Sequence, residues 1–151
     1  MREIISAITI LVLASCCFDS RTRSVTGRTG EARSEVWAIH QALALFRIDH
    51  GGFPVAMFKA ADDTVDYEAL CKELSERHDS QSAYLTRPCP LRDLWGNLYQ
   101  IQLDRDGDGS VRINGKLLSS PIAIWSYGPN GVNEYGEGDD IASWRLGIAN
   151  R

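Results

Sequence analysis

An α+β fold, with a long helix over one face of a small antiparallel sheet, follows from three features of the sequence. Apolar residues first recur at helical spacing, then at the two-residue spacing of strands, and Gly- or Pro-containing turns divide the two regimes. The helical part comes first. Ala32, Val36, Ile39, Leu43 and Phe46 recur at intervals of four and three, which places them on one face of a helix running from about Glu31. Gly51-Gly52 ends it and Pro54 forbids its continuation. A helix of this kind must bury its stripe against something else. His40 and His50 lie on or near that stripe and are expected to be solvated or hydrogen-bonded.

A second, shorter helix is predicted from Asp66, whose carboxylate can accept from the free amides of a first turn, with Val65 packing on Leu70. Leu70, Cys71 and Leu74 then face inward, and the helix fades into residues 76–80. Beyond Pro88-Cys89-Pro90 the period becomes two: Tyr99, Ile101 and Leu103 alternate with Gln100 and Gln102. Residues 104–109 (DRDGDG) form a turn, and Val111 and Ile113 resume the alternation. Asn114-Gly115 marks a tight hairpin. Residues 121–127 (PIAIWSY) read as another strand, followed by a Gly-rich acidic loop and a short apolar piece, Ile141 to Leu146. Trp37, Trp95, Trp125 and Trp144 are expected in the core or at its edge.

The chain has 151 residues, 44% hydrophobic and 24% charged, with a formal net charge of -4. That is enough for one globular domain and unlike a disordered composition. The acidic balance and the lack of a basic cluster argue against nucleic acid. The one concentration of arginines, Arg21, Arg23, Arg28 and Arg33, follows the N-terminal apolar stretch and reads as a solvated stem or an ordinary surface run.

Residues 4–18 carry no charge, which is short of the roughly 20 needed to span a bilayer but suits a secretion signal. Leu13-Ala14-Ser15-Cys16 at its end resembles the lipobox of bacterial lipoproteins. That resemblance implies cleavage before Cys16 and acylation of its thiol, hence a signal peptide at 1–15, a lipidated tether at 16–30 and a globular domain at 31–151. The alternative is an uncleaved short anchor in which Cys16 and Cys17 are small apolar residues. Export would put Cys71 and Cys89 where disulfides persist. Neither has a second Cys or His two to four residues away, so the spacing fits no metal pattern. A structural disulfide is expected, the alternative being two free thiols.

Three segments, in order, resemble the soluble domain of the major pseudopilin of type II secretion. They are residues 39–54 (IHQALALFRIDHGGFP), like that family's helix end; residues 93–99 (DLWGNLY), like its Asp-Pro-Trp-Gly-Asn-Pro-Tyr signature; and residues 125–144 (WSYGPNGVNEYGEGDDIASW), like its Ser-Leu-Gly-x-Asp-Gly…Gly-Glu…Asp-Ile-x-x-Trp ending. The chain departs from the family in two places. It lacks the Gly-plus-aromatic cleavage site with a Glu five residues on, a lipobox-like signal standing there instead, and Leu94 and Leu98 replace both prolines of the signature. The resemblance thus implies a pseudopilin-like fold more firmly than a filament.

The resemblance also implies that the acidic loop Tyr127 to Asp140 binds calcium. Asp139 and Asp140 match the family's aspartates, Tyr127 a carbonyl donor, and Asn130 the usual Asp, where a neutral amide oxygen lowers affinity. Val132 is a second candidate carbonyl donor. The loop's own chemistry agrees: four carboxylates, no basic residue, and glycines that let a backbone wrap a hard cation. Glu134 and Glu137 are expected to be solvated, and a wholly solvated loop is the plain alternative. A second acidic run, residues 104–110, has the Asp-x-Asp-x-Asp-Gly spacing of half an EF-hand, but Gly115 stands where the bidentate Glu belongs. It is expected to be a polar turn, with a weak ion site as the alternative.

No catalytic constellation stands out; Cys71 and His78, two turns apart with no orienting partner, make a poor thiol–imidazole pair. The sequence therefore predicts a non-enzymatic structural protein of the cell envelope. It would be held to a membrane by a lipid anchor, face the periplasm or the exterior, and take no small-molecule substrate. The resemblance implies secretion-system or other envelope proteins as partners and a part in protein secretion. The alternative is a stand-alone, calcium-stabilised lipoprotein binding module that does not polymerise.

Overall fold

The computed structural model describes residues 19–59, 64–75, 83–85 and 89–147, with side chains from residue 26 onward. Residues 1–15 and Cys16 lie outside them, as does His78.

Helix α1 spans Asp19–His50. Its beginning corrects the expected start near Glu31, because residues 19–30, read as tether, are helical in backbone. A polar helical stretch carries no apolar stripe, so its sequence gives no 3.6-residue signal. The stripe itself behaves as expected: Ala32, Val36, Ile39, Leu43 and Phe46 are all buried. Each large side chain there contributes roughly 1.5–3 kcal/mol by leaving water. Gly51 ends the helix at φ +72°. Trp37 departs from expectation, being 46% exposed. It follows Val36 by about 100° around the helix and so faces outward, on the same side as exposed Leu45 and Ile48. His40 is half-buried; its Nδ1 is buried without a hydrogen-bond partner, and burial lowers its pKa. His50 instead stacks on Phe46 and meets the Tyr84 hydroxyl at 3.2 Å.

Helix α2 covers Tyr67–Ser75. Asp66 caps it as expected, its Oδ1 accepting from the amides of Glu68 and Ala69 at 3.0 and 3.1 Å. Leu70 and Leu74 are buried. Cys71 is bonded to Cys89, with the Cα atoms 5.4 Å apart, so the pair is a disulfide. In the loop-entropy picture a bridge over that 18-residue separation stabilises by about 3 kcal/mol.

The strands are β1 (Gln100–Leu103), β2 (Val111–Ile113), β3 (Lys116–Leu118), β4 (Ile122–Ser126) and β5 (Ile141–Ala142). They form two sheets: antiparallel β1-β4-β5, and the β2-β3 hairpin. Asn114 and Gly115 turn that hairpin with φ of 47° and 77°, the left-handed pair such a turn requires. Every residue of β4 is buried. Alternation explains it. Ile122 and Ile124 share a core with the α1 stripe, while Ala123 and Trp125 pack with Val111 and Ile113. The fold is α+β, with α1 over one sheet face and the hairpin over the other.

Strand β1 lies at the edge of its sheet. The Tyr67 hydroxyl sits against that edge, donating to the carbonyl of Tyr99 and bonded to the backbone of Ile101. Burial there pushes the phenol pKa up to about 12. No helix among the described residues is long and apolar enough to cross a membrane.

Candidate metal centre

The acidic loop is the connection between β4 and β5, whose register places Ser126 opposite Ile141. Its entry and exit therefore lie side by side, and residues far apart in the loop are forced together. Two glycines make that closure possible. At Gly128 (φ +64°) a Cβ would stand 2.3 Å from the backbone oxygen of Asp139, and at Gly136 (φ +83°) 2.1 Å from Cζ2 of Trp144. No side chain fits at either place.

Three carboxylates converge inside this closure. Asp140, 5% exposed, accepts at Oδ2 from the amides of Glu134 (3.0 Å) and Gly136 (2.8 Å). Its Oδ1 is buried with no hydrogen-bond partner. Glu134 accepts at Oε2 from the Asp139 amide at 3.1 Å and the Asn130 side chain at 3.3 Å. Asp139 accepts at Oδ2 from the Asn130 amide at 3.1 Å. One oxygen from each of Glu134, Asp139 and Asp140 lies within 4.8 Å of the others.

Burial raises the Asp140 pKa above its ordinary 3.8; the Gly136 and Glu134 amides oppose the rise, and the charges of Glu134 and Asp139 add to it. Arg145 belongs to the same network, its guanidinium donating to the carbonyls of Gly136 and Gly138. A buried acceptor without a donor, among like charges, is an arrangement a cation would complete. The oxygen donors suit a hard metal ion.

Of the residues singled out in the sequence, Asn130, Asp139 and Asp140 meet in this network. Tyr127 is half-buried at the loop entry, its pKa raised by burial and then by the charge of Asp140. The Val132 side chain is exposed and its amide donates to Asn130 Oδ1 at 2.6 Å. Glu134, expected to be solvated, is instead half-buried among the acids. Charge and spacing give Glu134 and Glu137 equal standing, and only the folded turn separates them: Glu137 is exposed.

Ser126 and Asp93 are further polar residues buried at the loop's base. Ser126 donates from Oγ to Asp93 Oδ2 at 2.6 Å and accepts from the Gly128 amide at 3.0 Å. The indole N–H of Trp125 donates to Asn133 Oδ1 at 3.0 Å, tying the loop's middle to the strand.

The second acidic run differs. Asp104 accepts from the amides of Gly107 (2.7 Å, Oδ1) and Gly109 (2.8 Å, Oδ2), and Arg47 lies 3.7 Å from its Oδ2. Burial works to raise its pKa, but the Gly109 and Gly107 amides, the Asp106 side chain and Arg47 together hold it below the ordinary 3.8. Asp106 and Asp108 are exposed, though their oxygens come within 4.8 Å of Asp104. Asp108 Oδ1 receives both the amide and the hydroxyl of Ser110, each at 2.7 Å.

No protein-family model matches the chain, and no curated protein matches it. Among solved structures, the chain is similar to the crystal structure of the major pseudopilin from the type 2 secretion system of enterohaemorrhagic Escherichia coli. The two are 24% identical, with a TM-score of 0.47, over 85% of this chain and 96% of that one.

Proposed function

We infer that this chain is a non-enzymatic structural protein of the cell envelope whose β4–β5 loop is stiffened by calcium. The observation that carries the reading is the buried, unpartnered Oδ1 of Asp140 beside Glu134 and Asp139. Asp140, Asp139 and Glu134 would supply carboxylate oxygens, and Tyr127 and Val132 backbone carbonyls. Asn130 would contribute an amide oxygen in place of a charged one. Calcium's preference for six to eight oxygens at a flexible site suits this donor set. The ion would neutralise the clustered charge and tie the loop's entry to its exit.

What supports an envelope role is the sequence: three ordered segments resembling the major pseudopilin, behind Leu13-Ala14-Ser15-Cys16. The chain would be cut before Cys16, lipidated there and held off the membrane by residues 16–30, with residues 31–151 as the domain. It would face the periplasm or the exterior and serve protein secretion alongside other envelope proteins. The lipobox-like Leu13-Ala14-Ser15-Cys16 also fits a second reading, a lipid-anchored binding module that does not polymerise.

Melting the protein in calcium and in a chelator tests the ion, since a ligand of the folded loop alone raises the melting temperature. Identical melts overturn the calcium reading. Intact mass of the membrane-bound protein tests the anchor: a chain starting at acylated Cys16 is expected, and retention of residues 1–15 overturns it. Crosslinking in cells separates the two readings, because a ladder of self-linked copies is expected of a filament subunit and not of the module.

A further inference from the structure

We propose that Asp93 and Ser126 are positioning residues for the metal loop, acting through a buried hydrogen-bond relay that sets where its first turn meets Asp139. The inference rests on the calcium reading above. Its anchor is a turn that holds itself together without the loop. Asp93 Oδ1 accepts from the amides of Trp95 (3.0 Å) and Asn97 (2.8 Å). The Asp93 amide donates to the Asn97 carbonyl at 2.7 Å, and the Gly96 amide to the Asp93 carbonyl at 3.0 Å. With Oδ1 and both backbone groups engaged, the carboxylate has one orientation, and its Oδ2 points to Ser126.

Ser126 is the hinge of the relay. It is fully buried, it is the last residue of β4, and it pairs directly with Ile141, the neighbour of Asp140. Its hydroxyl proton goes to Asp93 Oδ2, which leaves the oxygen lone pairs free to accept the Gly128 amide. A carboxylate acceptor makes the first of these bonds charge-assisted, hence short and strong.

Gly128 passes the constraint on. It lies so close to the Asp139 backbone that a Cβ would stand 2.3 Å from its oxygen. Two residues later the Asn130 amide holds Asp139 Oδ2. The Asn97 side chain, from the anchoring turn, lies 3.7 Å from where a Gly131 Cβ would be. Hydrogen bonds between Asp93 and Ser126, Ser126 and Gly128, and Asn130 and Asp139 thus lead from the anchoring turn to a carboxylate 46 residues away in sequence (139 − 93).

Calcium titration calorimetry on the purified, disulfide-intact full chain and on Ser126→Ala, Asp93→Asn and the double variant tests this, with melting in chelator run in parallel. Asp93→Asn keeps an oxygen for Trp95 and Asn97 but offers Ser126 a donor where an acceptor stood. The expected result is a calcium Kd raised about tenfold in each single variant, the scale of losing one such hydrogen bond. The double variant should be no weaker than the weaker single one, because both break one relay. Ser126→Thr, which keeps the hydroxyl, should return the affinity toward the wild-type value.

A Kd within twofold of wild type in both single variants overturns the inference, even if their melting in chelator falls, because that is what a purely structural role does. Additive losses in the double variant overturn it as well. If Asp93→Asn does not fold, Ser126→Ala, which removes one oxygen, decides between the two outcomes together with Ser126→Thr. A wild-type chain that binds no calcium overturns the calcium reading and this inference together, an outcome separate from wild-type binding with unaffected variants.

Discussion

The loops at residues 104–110 and 127–140 have nearly the same ingredients, three converging carboxylates and flanking glycines, yet they are electrostatically opposite. In the first, both oxygens of buried Asp104 are met by glycine amides and Arg47 stands beside them. In the second, both donated amides go to one oxygen of Asp140 and the other is left alone among negative neighbours. The pKa directions follow, down for Asp104 and up for Asp140. Counting acids does not distinguish the two loops; counting the donors that reach the buried oxygens does.

The sharpest way to break this contrast is at Asp140. Calcium at about 100 times its Kd should stabilise the wild type by roughly 2.7 kcal/mol in urea unfolding. Asp140→Asn should erase most of that difference, and a full calcium response in the variant would remove Asp140 from the site. Next comes Asp104→Ala, which strands two glycine amides. It should cost about 2 kcal/mol, equally in calcium and in chelator. A cost appearing only in calcium would make the first loop an ion site after all.

Asp106→Asn combined with Asp108→Asn should be a small change, within about 0.5 kcal/mol, because both residues are exposed. The calcium response should stay intact, and its reduction would reveal a second ion at that turn. The subtlest test is pH in chelator. A folded-state pKa raised above 3.8 means that Asp140 favours folding below that value and loses the contribution as pH rises through the raised pKa. Asp104, depressed, favours folding above 3.8 and loses its contribution as pH falls through the lower value. Asp140→Asn should therefore remove the part of the melting-temperature decline that sets in above pH 3.8, and Asp104→Asn the part that sets in below it.

Much of the architecture is legible in the sequence because burial writes itself in periodicity. The α1 stripe, the β1 alternation, the Asn114-Gly115 turn and the Asp66 cap each leave a local mark, and each is found in place. The start of α1 leaves none, because a polar helical stretch has no face to bury. Trp37 misleads for the converse reason, since an aromatic side chain is no guarantee of the core. Within the β4–β5 loop, composition brings Asp139 and Asp140 to notice. It cannot separate Glu134 from Glu137, nor connect Asp93 with Ser126, because those relations exist only once β4 has been paired on both sides.

Tyr67 has a consequence for how the protein behaves at high concentration. The three-stranded sheet has two rims. One is β5, of two residues, too short to template another chain. The other is β1, four residues long with paired partners on one side, and there a phenol occupies the backbone groups of Tyr99 and Ile101 that an incoming strand would need. Among the described residues, the Tyr67 hydroxyl thus works against growth by strand addition at the one rim of this sheet long enough to accept a partner.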